Sequence, residues 1–157
     1  MLYWIFDLDN TLYQIDNKYF NYNKLSYDKN LKKNLSILPG NKIMFTNGTY
    51  NHAEKCIDIL KLNRLFNNII SRDMISCLKP EFVAYQKMSL ICDIDSCDKC
   101  VFFEDSIRNL RESKKIGWIT VLISKEQVDE SFIDFCFPSI NHALKYFLKK
   151  INDKSKN

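Results

Sequence analysis

Five short apolar runs, at positions 2–7, 42–47, 68–72, 100–104 and 118–123, recur along the chain without a regular polar alternation inside them. Strands covered on both faces read this way; a half-exposed strand alternates. The segments between them carry a helical period. Positions 50–62 place Ala53, Cys56, Ile57 and Leu60 on one face. Pro80 suits the first turn of a helix running to Leu90, with Phe82, Met88 and Ile91 available for packing. Positions 106–116 turn Ile107, Leu110 and Ile116 inward, and Gly117 is placed to stop that helix. A last amphipathic helix is predicted over 138–151, with Ile140, Leu144, Phe147 and Leu148 inward. Strand–helix–strand alternation implies right-handed crossovers and a parallel sheet, so the predicted fold is a three-layer α/β structure.

The length, 157 residues, suits one domain, expected over 1–150, with 151–157 as a frayed tail. The polar stretch 13–40, rich in Tyr, Asn and Lys, is too small for a second domain and has room for a short helix around 24–35. A net charge of +4 is too small and too dispersed to announce a nucleic-acid-binding protein. Lys149, Lys150, Lys154 and Lys156 cluster near the end and read as solvated surface. No apolar stretch reaches the roughly 20 residues that span a bilayer. The opening LYWIFD lacks the basic flank of a secretory leader. The six cysteines are therefore expected to be free thiols in a reducing cytoplasm. Cys97-x-x-Cys100, with Cys92 nearby, has zinc-like spacing, but no fourth ligand is evident. His52 and His142 stand isolated and read as structural or exposed.

The first apolar run ends in Asp7-Leu8-Asp9-Asn10-Thr11. Ligands of open α/β sheets bind beyond the carboxyl ends of the strands, where this acidic pair falls. Two residues apart in an extended segment, Asp7 and Asp9 are expected to share a face. Carboxylates so close repel unless a cation or proton intervenes, and Mg²⁺ is the natural hard cation for oxygen ligands. Thr46, Asn47 and Gly48 close the second run: a hydroxyl, a backbone free to approach closely, and the open N–H groups of a helix start. An ordinary turn with a threonine helix cap is the alternative there. Lys79 precedes Pro80 and supplies a cation, although most lysines are solvated surface. Glu104-Asp105 ends the fourth run and fits metal ligation opposite Asp7; the alternative is an acidic helix start. Acid pair, hydroxyl, lysine and acid pair all fall at or just beyond the C-terminal ends of elements of one predicted sheet.

FDLDNTLY, FTNG, LKP and FFEDSIRNL resemble, in this order, the four motifs of haloacid-dehalogenase-like (HAD) phosphatases. The first and last forms look closest to the pyrimidine 5′-nucleotidase-like branch. The resemblance covers about residues 3–123 and implies a Rossmann-like HAD core with little or no cap domain, because only 13–45 separate the first two motifs. That branch usually carries two aspartates where this chain has Glu104-Asp105; other members of the superfamily use Glu-Asp.

The resemblance implies an Mg²⁺-dependent phosphohydrolase. Asp7 is the nucleophile that forms an aspartyl-phosphate; Asp9 protonates the leaving alkoxide and then activates water. Asp7, Asp105, the Asp9 carbonyl and Glu104, directly or through water, hold the metal. Thr46, the Asn47 and Gly48 amides and Lys79 hold the phosphate, and Ser106 and Asn109 support the ligands from behind. The branch points to a nucleoside 5′-monophosphate. An uncovered site points instead to a bulky phosphoester, such as a phosphoprotein or a nucleic-acid end met only as substrate, or to closure by a second copy of the chain in a homo-oligomer. Tyr19, Phe20, Tyr22 and Tyr27 line a substrate rim or pack a flap. A catalytically silent binding protein on the same scaffold is the alternative of another class. The motif order is wrong for a receiver domain, and no phosphate-binding G-x-x-x-x-G-K occurs.

Overall fold

The computed structural model describes residues 1–15 and 20–155, so Tyr19 and Lys156 lie outside the described residues. Among these residues the strands are β1 (Leu2–Phe6), β2 (Asn41–Phe45), β3 (Asn68–Ile70), β4 (Lys99–Glu104), β5 (Ile119–Ile123) and β6 (Phe135–Phe137). They form one sheet in the order β3-β2-β1-β4-β5-β6, with every pairing parallel. The helices are α1 (Lys29–Ile37), α2 (Tyr50–Leu60), the single turn α3 (Arg72–Ile75), α4 (Phe82–Ile91), α5 (Ile107–Lys115) and α6 (Ile140–Lys154).

The unbroken apolar runs have a simple origin. Trp4 and Phe6 of β1 join one core with Leu31 and Leu35 of α1, Ile57 of α2 and Leu144 of α6. Tyr3 and Ile5, pointing the other way, join a second core with Tyr85 and Met88 of α4 and Leu110 of α5. Both faces are covered, so both parities must be apolar. The register aligns Phe6 with Phe103, and their rings stack at 4.7 Å between centroids.

Several boundaries depart from expectation. Pro80 does not start a helix: the Lys79–Pro80 peptide is cis, Glu81 occupies the N-cap position of α4 without a side-chain cap bond, and the helix begins at Phe82. The helix expected around 24–35 begins at Lys29, where Asp28 accepts from the Asn30 and Leu31 amides; a 3-10 turn occupies Tyr22–Lys24. α1 packs against α6 within one helical layer, tied by Asn141 Nδ2 donating to Asp28 at 2.7 Å. About a third of the polar 13–40 stretch is thus core-layer helix. α6 continues through Lys154, beyond the expected end at Ile151. Strand β6 was not anticipated. Gly117, at φ +86°, stops α5 as expected. No helix among the described residues is long and apolar enough to cross a membrane.

Candidate active site

β1 and β4 are neighbours, yet the chain visits β2 and β3 on one side of β1 before crossing to β4 on the other. A crevice opens where the connections diverge, at the carboxyl ends of these two strands. Asp7 follows Phe6 there, its amide donating to the Phe103 carbonyl at 2.9 Å, and Glu104 ends β4. Both share the parity of the strand residues that face α4 and α5. Lys79 arrives on that side from the segment before α4.

Lys79 Nζ donates to Asp7 Oδ1 at 2.7 Å, to Glu104 Oε2 at 2.8 Å and to the Phe45 carbonyl at 2.6 Å. All three residues are buried, at 7%, 3% and 1% exposure for Asp7, Lys79 and Glu104. Three donors meet three acceptors, which satisfies the ammonium without water. Burial alone would lower the lysine pKa, but the facing carboxylates Asp7 and Glu104 outweigh it, and the net direction is upward. Burial raises Asp7 to about 7, opposed by Lys79 and reinforced by Glu104. Burial also raises Glu104 and Asp105.

Asp7, Glu104 and Asp105 each offer an oxygen within 4.8 Å of the others, the one group of potential metal ligands found among the described residues. Three carboxylates face one ammonium, an excess of two negative charges that suits a divalent cation with oxygen ligands. Glu104 is heavily engaged already. Its Oε1 accepts from the Asp105 and Ser106 amides at 3.2 and 3.1 Å, and its Oε2 accepts from Lys79 and from Asn109 Nδ2 at 2.9 Å. Asp7 and the more exposed Asp105 are freer to ligate directly. Ser106 and Asn109 thus both support Glu104, one by backbone and one by side chain.

Thr11, in the motif but not assigned a role from sequence, donates its hydroxyl to Asp7 Oδ2 at 3.3 Å. Thr46 is buried, and its Oγ1 accepts the Gly48 amide at 2.9 Å; that amide is therefore engaged internally. The Asn47 side chain brackets the backbone of Lys79, donating to its carbonyl at 2.9 Å and accepting its amide at 2.8 Å. Asn47 places the lysine.

Asp9 lies outside the acidic group formed by Asp7, Glu104 and Asp105. β1 ends at Phe6, and a turn follows in which the Thr11 and Leu12 amides reach the Leu8 carbonyl and Asn10 adopts φ +61°. The Asp9 carboxylate meets His52 of α2 at 2.9 Å and accepts the Tyr13 hydroxyl. His52, read from sequence as isolated, is, with Thr11 and Tyr13, a residue of this site that sequence missed. The available signal was its position in the first turn of the helix after β2, which begins at the ligand end of the sheet. Tyr22 joins this group through His52 Nδ1 at 2.9 Å, and Phe20 packs edge-on against the ring. Tyr27 is exposed and lies near the Lys61 ammonium instead. All six cysteines are free, with Cys92 and Cys100 buried and Cys97 exposed, and no cysteine belongs to a metal-ligand group among the described residues.

No family model matches the sequence, and no curated protein matches it. Solved structures do. L-2-haloacid dehalogenase from Xanthobacter autotrophicus superposes with a TM-score of 0.66 at 14% identity, over 79% of this chain and 62% of that one. The putative HAD-hydrolase YfnB from Bacillus subtilis, bound to magnesium, gives 0.66 at 15% identity, over 76% and 55%. A HAD phosphatase from Thermococcus onnurineus gives 0.62 at 18% identity, over 74% and 54%. The chain has the HAD-like fold. It spans about three fifths of the length of the dehalogenase it matches.

Proposed function

We propose that this protein is an Mg²⁺-dependent phosphohydrolase that cleaves phosphate monoesters through an aspartyl-phosphate on Asp7. The observation that carries the reading is the buried Asp7–Lys79–Glu104 triad with Asp105 beside it, at the switch point of a HAD-like sheet. Lys79 and Thr11 fix both oxygens of Asp7, so the nucleophile is aligned before substrate arrives. Asp7 and Asp105, with Glu104 behind them and the Asp9 carbonyl that the motif resemblance adds, would hold Mg²⁺. When bound, that ion offsets charge on the transferring phosphoryl group and on the carboxylates.

Asp7 attacks phosphorus while Asp9 gives its proton to the departing oxygen; Asp9 then takes a proton from the water that releases phosphate from Asp7. Lys79 keeps Asp7 oriented and supplies positive charge beside the reaction. Thr46 retains a hydroxyl proton to donate, and with the Asn47 amide it binds the phosphoryl oxygens. Among structural neighbours there are dehalogenases, but the acidic excess here disfavours a metal-free site for a haloacid carboxylate.

The motif form supports a nucleoside 5′-monophosphate as substrate. A second reading, a bulky phosphoester such as a phosphoprotein or nucleic-acid end, is supported by α1: its place in the core layer leaves little chain to cover the site. The free thiols fit a reducing cytoplasm. Hydrolysis of 4-nitrophenyl phosphate with Mg²⁺, abolished by EDTA and by Asp7→Asn in a folded protein, is the expected result. Full activity of Asp7→Asn excludes Asp7 as nucleophile. A panel of nucleotides, sugar phosphates, phosphopeptides and phosphorylated DNA ends then separates the substrate readings.

A further inference from the structure

We infer that His52, together with Tyr13, positions Asp9 for proton transfer to the leaving group; the inference rests on the phosphohydrolase reading. Asp9 sits on a short turn and has no strand to hold it. Its Oδ1 accepts from His52 Nε2 at 2.9 Å and from the Tyr13 hydroxyl, while Oδ2 lies 3.3 Å from the same ring nitrogen. One oxygen is thus held by two donors and the other is the less engaged.

The ring orientation follows from its neighbours. Oδ1 accepts whether Asp9 is ionised or carries its transferable proton on Oδ2, so Nε2 carries the hydrogen it shares with Oδ1. In the neutral ring Nδ1 is then an acceptor, and Tyr22 Oη stands 2.9 Å from it to donate. A chain of hydrogen bonds therefore runs from Asp9 through His52 on α2 to Tyr22 in the segment before α1. Packing alone would need neither ring nitrogen. The Phe20 ring packs edge-on against the imidazole, and Gly48 leaves it room, since a Cβ there would come within 2.9 Å of His52 Cδ2.

The step it serves balances simply. An Asp7 oxygen forms a bond to phosphorus as the bond from phosphorus to the leaving oxygen breaks. The electron pair stays on that oxygen, which takes the proton from Asp9. His52 and Tyr13 exchange nothing; they keep the Asp9 carboxyl in one rotamer, with Oδ2 left for the transfer. An alkoxide leaving group needs that proton, whereas 4-nitrophenolate departs without it.

The test compares kcat/KM for ethyl phosphate and 4-nitrophenyl phosphate, with Mg²⁺, in the intact protein and in His52→Ala, His52→Gln and Tyr13→Phe, alongside thermal unfolding. General acid catalysis contributes roughly 10²–10⁴-fold. His52→Ala is therefore expected to lose about tenfold more on the alkyl ester than on the aryl ester. Gln, whose amide can donate in place of Nε2, should restore part of that difference, and Tyr13→Phe should shift the ratio in the same direction. Equal losses on both esters make His52 a structural residue and overturn the inference. Should His52→Ala fail to fold, an unchanged ratio in both His52→Gln and Tyr13→Phe overturns it equally. If the unaltered protein cleaves neither ester, the phosphohydrolase reading fails and the inference with it; Asp7-dependent cleavage with unmoved ratios sinks the inference alone.

Discussion

Lys79 Nζ, itself fully buried, lies 2.7 Å from Asp7 Oδ1, and the same ammonium reaches Glu104 at 2.8 Å. One cation thus offsets two buried anions. Lys79→Met removes it and leaves two carboxylates facing each other without compensation. Removing one partner from a buried charge cluster costs roughly 3–5 kcal/mol. A large drop in unfolding free energy of the metal-free protein is expected by denaturant titration, with loss of activity. A change of less than about 1 kcal/mol would show that the triad contributes little to stability.

Glu104→Gln is expected to behave as a severe change despite its shape. Each Glu104 oxygen accepts two donors: the Asp105 and Ser106 amides on one side, Lys79 and Asn109 on the other. A glutamine amide must turn its NH₂ toward one of these pairs, so donors face donors. Hydrogen bonds to charged groups contribute about 1.5–3 kcal/mol each, and a loss of at least that size is expected in chemical denaturation. A variant as stable as the parent would show that these contacts are weaker than their geometry suggests.

Asp7 links metal binding to pH. Burial raises its pKa from 3.8 to about 7, so between these values the metal-free folded chain holds a proton that the unfolded chain has released. Raising the pH across that window therefore removes stability from the metal-free protein, and the loss is complete above about 7. Mg²⁺ needs the ionised carboxylate, so its affinity should climb through the same window and level off above it. Melting curves at pH 5 and pH 8, each with and without Mg²⁺, should show the larger metal-induced shift at pH 8. An equal shift at both values would exclude Asp7 as a ligand that titrates there.

Gly48→Ala probes a contact between two parts of the site. The added Cβ would meet His52 Cδ2 at 2.9 Å and Thr46 Oγ1 at 3.2 Å. Overpacking of this kind costs typically ~1–3 kcal/mol. The imidazole must move off Asp9 or the threonine off its amide. Reduced turnover with modest destabilisation is expected; parent-like kinetics would mean that neither group needs its present position.

The sheet was legible because both faces of its strands are covered, so the runs ending at Asp7 and at Glu104 stood out as uninterrupted apolar sequence. β6 left no such trace: Phe135–Phe137 is three residues long, partly exposed, and runs straight into Pro138. The start of α1 was hidden in a polar stretch whose informative residue is a single cap, Asp28. Asp7, Glu104 and Asp105 could be assembled from sequence because each lies at or just beyond a strand end, where the fold rule already says ligands bind; Lys79, which follows α3 well past β3, was placed by the order of the motifs. The His52–Asp9 pairing could not. It depends on the turn after β1, with Asn10 in the left-handed region, and on the place of His52 in the first turn of α2, neither of which fixes the partner of Asp9 by local pattern alone.

The stacking of Phe6 on Phe103 couples chemistry to folding fidelity. Were β1 to slide by a single residue against β4, Leu8 would meet the ammonium of Lys79 and the nucleophile would turn toward the opposite helical layer. A chain misassembled in this way can remain compact and still be inert. Errors in strand alignment during refolding would then be visible as a fraction of soluble protein that never turns over, even where bulk spectroscopy sees nothing amiss.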